Sequence, residues 1–345
     1  MILADTHLLG VQNGHWLDKL RREWQMHRSF QTSISLLKPD AVFFLGDLFD
    51  EGQWGNDEQF DKYADRFNDL FYMPEDVKRF TVMGNHDVGF HYAISQRNMD
   101  RFVKHFGLER GVEYFELNGN HFVMFNSMAL GTFEQLMRIL SSCILEGDHC
   151  HLCGKAVAEL DSIAASFRCS LNKTKDCTTR LKAPYGRPIL LQHFPLYRSS
   201  DMECLETDDL APPQIRQEQF RAKWDCLSSE STNLILESLK PRAVFGGHVH
   251  FGCQRWWAAP FNFWEYTVAS FSWRNNKHPS FLLVSVSPQE LQISRCFIPH
   301  EDVVLYIYIV FSIVWSILFL ILLKRNWFKI EKLKNRFQKP DRLVY

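Results

Sequence analysis

Five short motifs rich in carboxylate, imidazole and amide side chains each follow an apolar run typical of a β-strand. They are, in chain order, Asp5-Thr6-His7, Gly46-Asp47-Leu48-Phe49-Asp50, Gly84-Asn85-His86-Asp87, Gln192-His193-Phe194-Pro195 and Gly246-Gly247-His248-Val249-His250. Sites in open α/β sheets are built at the C-terminal edge of the strands. These three kinds of group are the ligands expected for borderline metals such as Mn, Fe or Zn.

Each motif alone is a weak signal. A lone histidine at a strand end is more often structural than a ligand, and D-x-H and H-x-H occur by chance in many chains. Five such motifs in order, each at a strand terminus, are hard to explain as coincidence. Together they predict a metal site at one edge of a sheet.

The elements that must position these motifs alternate between strand and helix in the first half of the chain. Strands are predicted at Met1–Ala4, Ala41–Leu45 and Arg79–Met83, and helices at Trp16–Leu37 and Asp57–Phe71. This alternation indicates an α/β fold with a largely parallel sheet covered on its faces. The first helix is predicted to be amphipathic, and the residues of its apolar face are Trp16, Leu17, Leu20, Trp24, Phe30, Ile34 and Leu37.

The second half of the chain returns to strands. Asn118-Gly119-Asn120 between apolar runs predicts a hairpin of Tyr114–Leu117 with His121–Phe125. Residues 131–187 form a polar, Cys-bearing insertion with a helical stretch around 155–168, and a further helix is predicted near 231–239. Later strands are predicted at Pro188–Gln192, Ala243–Phe245, Trp264–Ala269, Phe281–Val286 and Leu291–Cys296.

Taken in order, the motifs resemble the signature of the calcineurin-like metallophosphoesterases over residues 5–250. The resemblance implies a four-layer α/β/β/α sandwich with a dinuclear metal centre. It implies these metal ligands: Asp5, His7 and His250 for one ion, Asn85, His193 and His248 for the other, and Asp47 as the bridge. It also implies a catalytic His86 beside the leaving group, oriented by Asp50 or Asp87.

The chemistry of the residues agrees with these implied roles. Two cations about 3.5–4 Å apart can lower the pKa of a bridging water toward about 7 and clamp phosphate oxygens during in-line displacement. A bridging carboxylate is needed because neutral imidazoles would leave two close cations poorly compensated. His86 can act as general acid to a departing alkoxide, which otherwise leaves badly at pH 7.

A long uncharged segment, Val303–Leu323, predicts a transmembrane helix. Its 21 residues span about 31 Å, the thickness of a hydrocarbon core. A buried core helix is the alternative, but such helices seldom run this far without a polar face. Basic residues are frequent in 324–345, so the positive-inside rule predicts a cytoplasmic tail and a lumenal domain over residues 1–300.

The cysteines fit a lumenal domain. The chain has nine, and five of them lie in the insertion: Cys143, Cys150, Cys153, Cys169 and Cys177. Asn172-Lys173-Thr174 is an N-glycosylation sequon in the same stretch, and we expect disulfides there. A half zinc site at Cys150-x-x-Cys153 is the alternative. Because no export signal precedes Met1, we expect an N-terminal signal or signal-anchor ahead of this sequence; insertion through the C-terminal span alone, as a tail anchor, is the alternative.

Further segments resemble a family member that remodels glycosylphosphatidylinositol (GPI) anchors in the early secretory pathway. They are residues 4–10, 15–26, 271–281 and 301–305. This resemblance implies a Mn²⁺ enzyme that removes an ethanolamine-phosphate from the second mannose of GPI and so promotes ER-to-Golgi transport. It implies GPI-anchored proteins as substrates, membranes of ER exit sites, the intermediate compartment and the cis-Golgi, and cargo receptors as further partners.

Alternatives remain open from the residues. A nucleotide or another phosphoester would suit the same scaffold, since loops outside the motifs set the substrate, and a catalytically dead cargo-binding scaffold is a second rival. A net charge of −1 gives no reason to expect nucleic acid. Arg274 is a candidate substrate-binding residue. The aromatic residues at 256–264 form either a rim near the site or the core of a second sheet.

Overall fold

The computed structural model describes residues 1–90, 93–107, 111–130, 149–172, 177, 181–205 and 207–337. The strands are β1 (Ile2–Leu3), β2 (Ala41–Leu45), β3 (Lys78–Val82), β4 (Val112–Leu117), β5 (Asn120–Phe125), β6 (Ile189–Leu191), β7 (Ala243–Gly246), β8 (Cys253–Trp257), β9 (Phe263–Thr267), β10 (Ser280–Val286) and β11 (Leu291–Phe297). The helices are α1 (Trp16–Leu37), α2 (Asp57–Leu70), α3 (Asn85–Val88), α4 (Gln96–Phe106), α5 (Ser127–Leu130), α6 (His149–Asn172), α7 (Pro213–Arg216), α8 (Ser229–Leu239) and α9 (Glu301–Phe337).

The strands form two sheets. The first has the order β11-β10-β1-β2-β3, in which β1, β2 and β3 are parallel and β10 is antiparallel to both of its neighbours. The second has the order β4-β5-β6-β7-β9-β8, with a parallel centre and antiparallel edge strands. The predicted strands are confirmed, with ends displaced by one or two residues.

The core lies between and outside the two sheets, and its aromatic side chains show the layers. Successive residues of a strand point to opposite faces, so Phe43 and Phe44 of β2 face different layers. Phe43 stacks on Phe122 of the second sheet with ring centroids 5.6 Å apart. Phe44 packs on Phe67 of α2 at 5.0 Å. On the far side, Phe167 of α6 contacts the second sheet. The α/β/β/α layering is therefore confirmed.

The predicted bounds of α1 are confirmed, but the apolar face of its first half is exposed. The helix begins after His15, whose ring accepts a hydrogen bond from the Leu17 amide. Its buried residues are Gln25, Met26, Phe30 and Ile34. Most of the predicted apolar face is exposed: Trp16, Leu17, Leu20, Trp24 and Leu37. The reason is length, because 22 residues make a helix of about 33 Å beside strands of about 17 Å.

Besides the four-residue helices α3, α5 and α7, two longer elements were not predicted from the sequence, namely α4 and β8. Strand β8 makes the aromatic residues at 256–264 part of an edge hairpin, β8 with β9. Trp264 pairs with Ala243 at the start of β7, opposite the end that carries His248. The interpretation of this cluster as a rim near the site is therefore wrong, and Phe263 is buried in the core of the second sheet.

The insertion is described only in part. Its predicted helix is present as α6, and a disulfide joins Cys169 to Cys177. A second disulfide, Cys204–Cys253, was not predicted. Cys143, the side chains of Cys150 and Cys153, the alternative zinc site and the sequon beyond the backbone of Asn172 lie outside the described residues.

Helix α9 is long and apolar enough to cross a membrane. The candidate span has a mean hydropathy of 2.6, and none of its most apolar window is buried. The chain divides into two compact units, Met1–Ile298 and Pro299–Tyr345. The helix continues past Leu323 through the basic residues to Phe337.

Candidate metal centre

The five motifs meet at one edge of the two sheets. Asp5, Asp47 and Asn85 follow the parallel strands β1, β2 and β3 of the first sheet. His193 follows β6, and the two histidines of Gly-Gly-His-Val-His follow β7 of the second sheet. Because all these strands end at the same edge, each sheet contributes about half of the predicted ligands.

One cluster consists of Asp5, His7 and His250. A ligand atom of each lies within 4.8 Å of the others. His7 Nε2 is 3.1 Å from His250 Nε2, and both nitrogens are 3.8 Å from Asp5 Oδ1. Two imidazole nitrogens at this distance require a shared proton or a shared cation.

The second cluster consists of Asp47, His193, His248 and Asn85. The first three offer atoms within 4.8 Å of one another, and His193 Nε2 lies 3.1 Å from Asn85 Oδ1. Asp47 Oδ2 is 3.3 Å from His193 Nε2 and 3.5 Å from His7 Nε2. Asp47 thus stands between the two clusters, where a bridging carboxylate belongs.

Outer hydrogen bonds fix the tautomers of the histidines. His193 Nδ1–H donates to the Leu45 carbonyl at 2.7 Å, and His248 Nε2–H donates to the Trp224 carbonyl at 2.7 Å. His7 Nδ1 lies 3.4 Å from Asp50 Oδ1. Metal-ligating histidines typically donate their second ring N–H in this way. The remaining nitrogen of each ring therefore faces the cluster as a lone-pair donor.

The burial of these groups also fits bound cations. Burial raises the pKa of Asp5 to about 8, and burial together with the neighbouring His193 lowers the pKa of His248 to about 3. Asp5 Oδ1 has no hydrogen-bond partner among the described residues. A buried carboxylate with one unpartnered oxygen, beside several histidine nitrogens, is the donor set of a divalent ion.

The backbone is strained at the same residues. Five predicted ligands have positive φ: Asp5 at 54°, His7 at 43°, Asp47 at 49°, His248 at 74° and His250 at 65°. This conformation is uncommon for residues other than glycine, and such strain is concentrated at functional sites. Next to the ligands, a Cβ on Gly84 would lie 2.1 Å from the Asp47 amide nitrogen, so only glycine fits.

His86 lies at the border of the centre, and Asp50 rather than Asp87 contacts its ring. His86 Nδ1–H donates to the Asp50 backbone carbonyl at 2.9 Å, and the Asp50 carboxylate is 3.8 Å away. The Asp87 carboxylate instead accepts hydrogen bonds from the amides of Phe49 and Gly84. Asp87 therefore holds the turns that carry the ligands.

Arg274 lies in the same site. Its Nη2 is 2.6 Å from Asp50 Oδ1, and its side chain is 30% exposed. Asp50 thereby connects Arg274 with His7 and His86. The guanidinium stands at the opening of the centre, with part of its surface open to solvent.

Sequence reasoning missed two supporting residues. Ser127 Oγ accepts hydrogen bonds from the amides of His193 and Phe194 at 3.1 and 3.2 Å. Its signal was the polar pair Asn126-Ser127 directly after the predicted strand His121–Phe125. Trp224 supports His248 through a backbone carbonyl, for which side-chain patterns give no signal.

Comparisons with known proteins agree with this geometry. The family model of the calcineurin-like phosphoesterases matches residues 1–252. Metallophosphoesterase 1 of Ailuropoda melanoleuca is 44% identical over 313 residues, covering 90% of this chain and 74% of the relative. The Mus musculus protein of that name is 44% identical over 312 residues, with coverages of 89% and 74%.

Among solved structures, the chain is similar to a dimetal phosphatase from Danio rerio. The TM-score is 0.50 at 13% sequence identity, over 87% of this chain and 98% of that one. At this identity the likeness supports the fold alone. From the family match and the close curated relatives, the chain belongs to the calcineurin-like phosphoesterase family and is a metal-dependent hydrolase of phosphoric esters.

Proposed function

We propose that this enzyme removes the ethanolamine-phosphate side branch from the second mannose of GPI anchors, on the lumenal side of early secretory membranes. The observation that carries the proposal is a complete metal-ligand set in a chain with a membrane-spanning helix. The relatives called metallophosphoesterase 1, and the segments that resemble the GPI-remodelling member, support the substrate.

The ligand residues suit two divalent ions, and we propose Mn²⁺. Asp5, His7 and His250 would hold one ion and Asn85, His193 and His248 the other, with Asp47 between them. When bound, the ions supply a hydroxide at neutral pH and neutralise charge on the phosphoryl oxygens. Mixed oxygen and nitrogen donors without thiolate suit Mn²⁺, although they also suit Fe and Zn.

His86 would protonate the leaving oxygen of the mannose. Burial lowers its pKa, but the Asp47 carboxylate and the Asp50 carbonyl and carboxylate outweigh burial, so that the pKa is raised above its ordinary value. Because Nδ1–H is committed to the Asp50 carbonyl, the acidic proton available to substrate is on Nε2. General acid catalysis of this kind contributes about 10²–10⁴-fold.

Arg274 would bind a non-bridging phosphate oxygen. One of its nitrogens lies against Asp50, and the fork of a guanidinium has further donors with the geometry that phosphate requires. The Asp50 contact holds the side chain at the opening, so binding would need little reorganisation.

Several features support lumenal placement. Two disulfides occur in the described part of the domain, and disulfides persist in oxidising compartments. The sequon at Asn172 and the basic residues after Leu323 agree. GPI-anchored proteins and cargo receptors are then the expected partners, and the ER exit sites, intermediate compartment and cis-Golgi the expected membranes.

The test is the glycan mass of a GPI-anchored reporter in cells lacking the chain. We expect the reporter to retain one ethanolamine-phosphate on the second mannose and to lose it when the wild-type chain is restored. The His86→Ala variant serves as the matched control. If the wild-type chain leaves the glycan unchanged but purified enzyme hydrolyses a nucleotide, the rival substrate is correct. If neither is hydrolysed and no metal binds, the scaffold alternative stands.

A further inference from the structure

An exposed apolar surface lies beside the metal centre, on the segment from Val11 to Trp24. No residue of this segment is buried. Its large apolar side chains are exposed to 64% at Val11, 66% at Trp16, 54% at Leu17, 59% at Leu20 and 43% at Trp24. We call these five residues the α1 apolar surface.

The four helical members share one face of α1. At 100° per residue, Trp16, Leu17, Leu20 and Trp24 fall within an arc of about 100°. The same stripe continues into the buried residue Ile34. The apolar face of α1 therefore begins outside the core and continues into it. A helix surface that contacts only water is ordinarily polar.

This surface lies at the metal-site edge of the domain. Helix α1 connects the parallel strands β1 and β2, so its first residue lies at the edge where β1 ends and its last residue at the edge where β2 begins. Val11 follows the ligand His7 by four residues, which limits their separation to about 14 Å. The N-terminal end of α1, which carries Trp16, therefore lies on the metal-site side of the domain.

The chain leaves the domain for the membrane helix at this same edge. Strand β11 is antiparallel to β10, which is antiparallel to β1, so β11 runs in the direction of β1. Ile2 pairs with Leu282, and Ser280 pairs with Phe297. Phe297, the last residue of β11, is therefore level with Ala4 and two strands away, about 10 Å.

Three residues then separate β11 from α9. A link of this length reaches at most about 14 Å, so the first residue of α9 is held within that distance of the end of β11. Tryptophan and leucine on one helix face are the residues that bind the headgroup and acyl boundary of a membrane.

We propose that the α1 apolar surface inserts into the interface of the bilayer that holds α9 and turns the metal centre toward the membrane. The partner is a lipid surface. The proposal rests on the membrane helix and on strand direction, and it holds whatever phosphoester the centre hydrolyses.

Depth-dependent fluorescence quenching tests the insertion directly. The full chain is reconstituted in phosphatidylcholine vesicles with or without brominated acyl chains, which quench tryptophans in contact with lipid. Trp16→Phe should lose part of the quenched emission. The control is Trp256→Phe, since Trp256 is 47% exposed at the opposite edge, and it should lose only unquenched emission. If the two variants behave alike, the surface is not in lipid and the proposal fails.

A second pair of variants on the same helix measures the effect on catalysis. A fluorogenic phosphodiester is offered either coupled to a lipid in the vesicle or free in solution. Leu20→Ser should slow turnover of the lipid-anchored probe by up to about tenfold, because the enzyme loses the free energy of transferring one leucine from water into an apolar phase. The turnover rate of the free probe should not change. Leu36→Ser, at a position 76% exposed near the other end of α1, should change neither.

Binding of a protein instead of lipid to the α1 apolar surface would give a different result. If Trp16→Phe leaves lipid quenching unchanged and cross-linking through residues 11–24 captures a second copy of the chain, the surface is a dimer interface. That outcome overturns the proposal, and so does an equal effect of Leu20→Ser and Leu36→Ser.

Discussion

At the scale of single residues, Asp47 is the side chain on which both metal clusters depend. Its Oδ2 lies within 3.5 Å of a histidine of each cluster. We expect Asp47→Ala to bind neither ion and to lose all turnover. Each ion would lose a ligand, and the negative charge that offsets the repulsion between the two ions would be removed. Elemental analysis of the reconstituted protein checks this. Retention of one tightly bound ion would show that Asp47 is not a bridge.

Substitution of His86, unlike that of Asp47, should leave metal binding intact. Its side chain is 29% exposed, and its Nδ1 contact is with a backbone carbonyl. His86→Ala should retain both ions but slow hydrolysis of alkyl phosphodiesters by about 10²–10⁴-fold. A nitrophenyl ester should be less affected, because its leaving group needs no proton. Equal losses on both substrates, together with loss of metal, would assign His86 a structural role.

The residue types and their order predicted that the five motifs gather at one sheet edge, and the resemblance to the calcineurin-like family implied which side chains are the ligands. The choice between Asp50 and Asp87 could not be made from the sequence, because both are strand-end carboxylates. Only the fold shows that Asp87 binds backbone amides. Ser127 was missed because one serine after a strand is too common a feature.

At the scale of elements, the disulfide Cys204–Cys253 joins the segment after His193 to β8. Its cysteines are 49 residues apart, against 8 for Cys169–Cys177. Since a cross-link acts mainly by restricting the unfolded chain, replacing the longer pair by serine should cost about 2–5 kcal/mol of unfolding free energy. The shorter pair should cost about 1.5 kcal/mol less.

Urea denaturation without reductant measures both double variants. Cys296→Ser is the control, because Cys296 is a free thiol. A larger loss for Cys169–Cys177 than for Cys204–Cys253 would contradict the chain-entropy explanation.

Helix α1 shows how far periodicity predicts an element. Both of its ends were predicted, since Trp16 to Leu37 keeps the helical period and Lys38, in a left-handed conformation, ends it before Pro39. Its buried face was not predicted beyond Phe30 and Ile34. Periodicity shows which residues share a face, but the length of the neighbouring strands decides how much of that face is covered.

At the scale of the whole molecule, the link between domain and membrane helix should decide which substrates are reached. A form ending before Val303 should keep its activity on a small soluble phosphodiester. It should lose most activity on GPI-anchored proteins in membranes, because tethering raises the local substrate concentration to about the millimolar range. Assaying both forms on both substrates checks this. Equal rates on membrane GPI would show that tethering is dispensable.

The side of the membrane on which the domain lies can be tested at Asn172, the last residue of α6. We expect N-glycosylation there in protein from secretory membranes, because the sequon lies on the predicted lumenal side. Endoglycosidase treatment should increase gel mobility, and Asn172→Gln should remove the shift. If the gel mobility of the wild-type protein does not change and the thiols of the insertion are free, the domain has the opposite orientation across the membrane.

The division of ligands between the two sheets has a consequence for the supply of metal. Asp5, Asp47 and Asn85 come from one sheet and the histidines at 193, 248 and 250 from the other, so a bound ion would connect the two sheets. Ligand that binds only the folded state adds about 2.7 kcal/mol of stability at a hundred times its dissociation constant. The free energy of unfolding therefore rises with the free metal concentration of the compartment, and we expect the metal-free enzyme to unfold at a lower temperature than the metal-loaded enzyme.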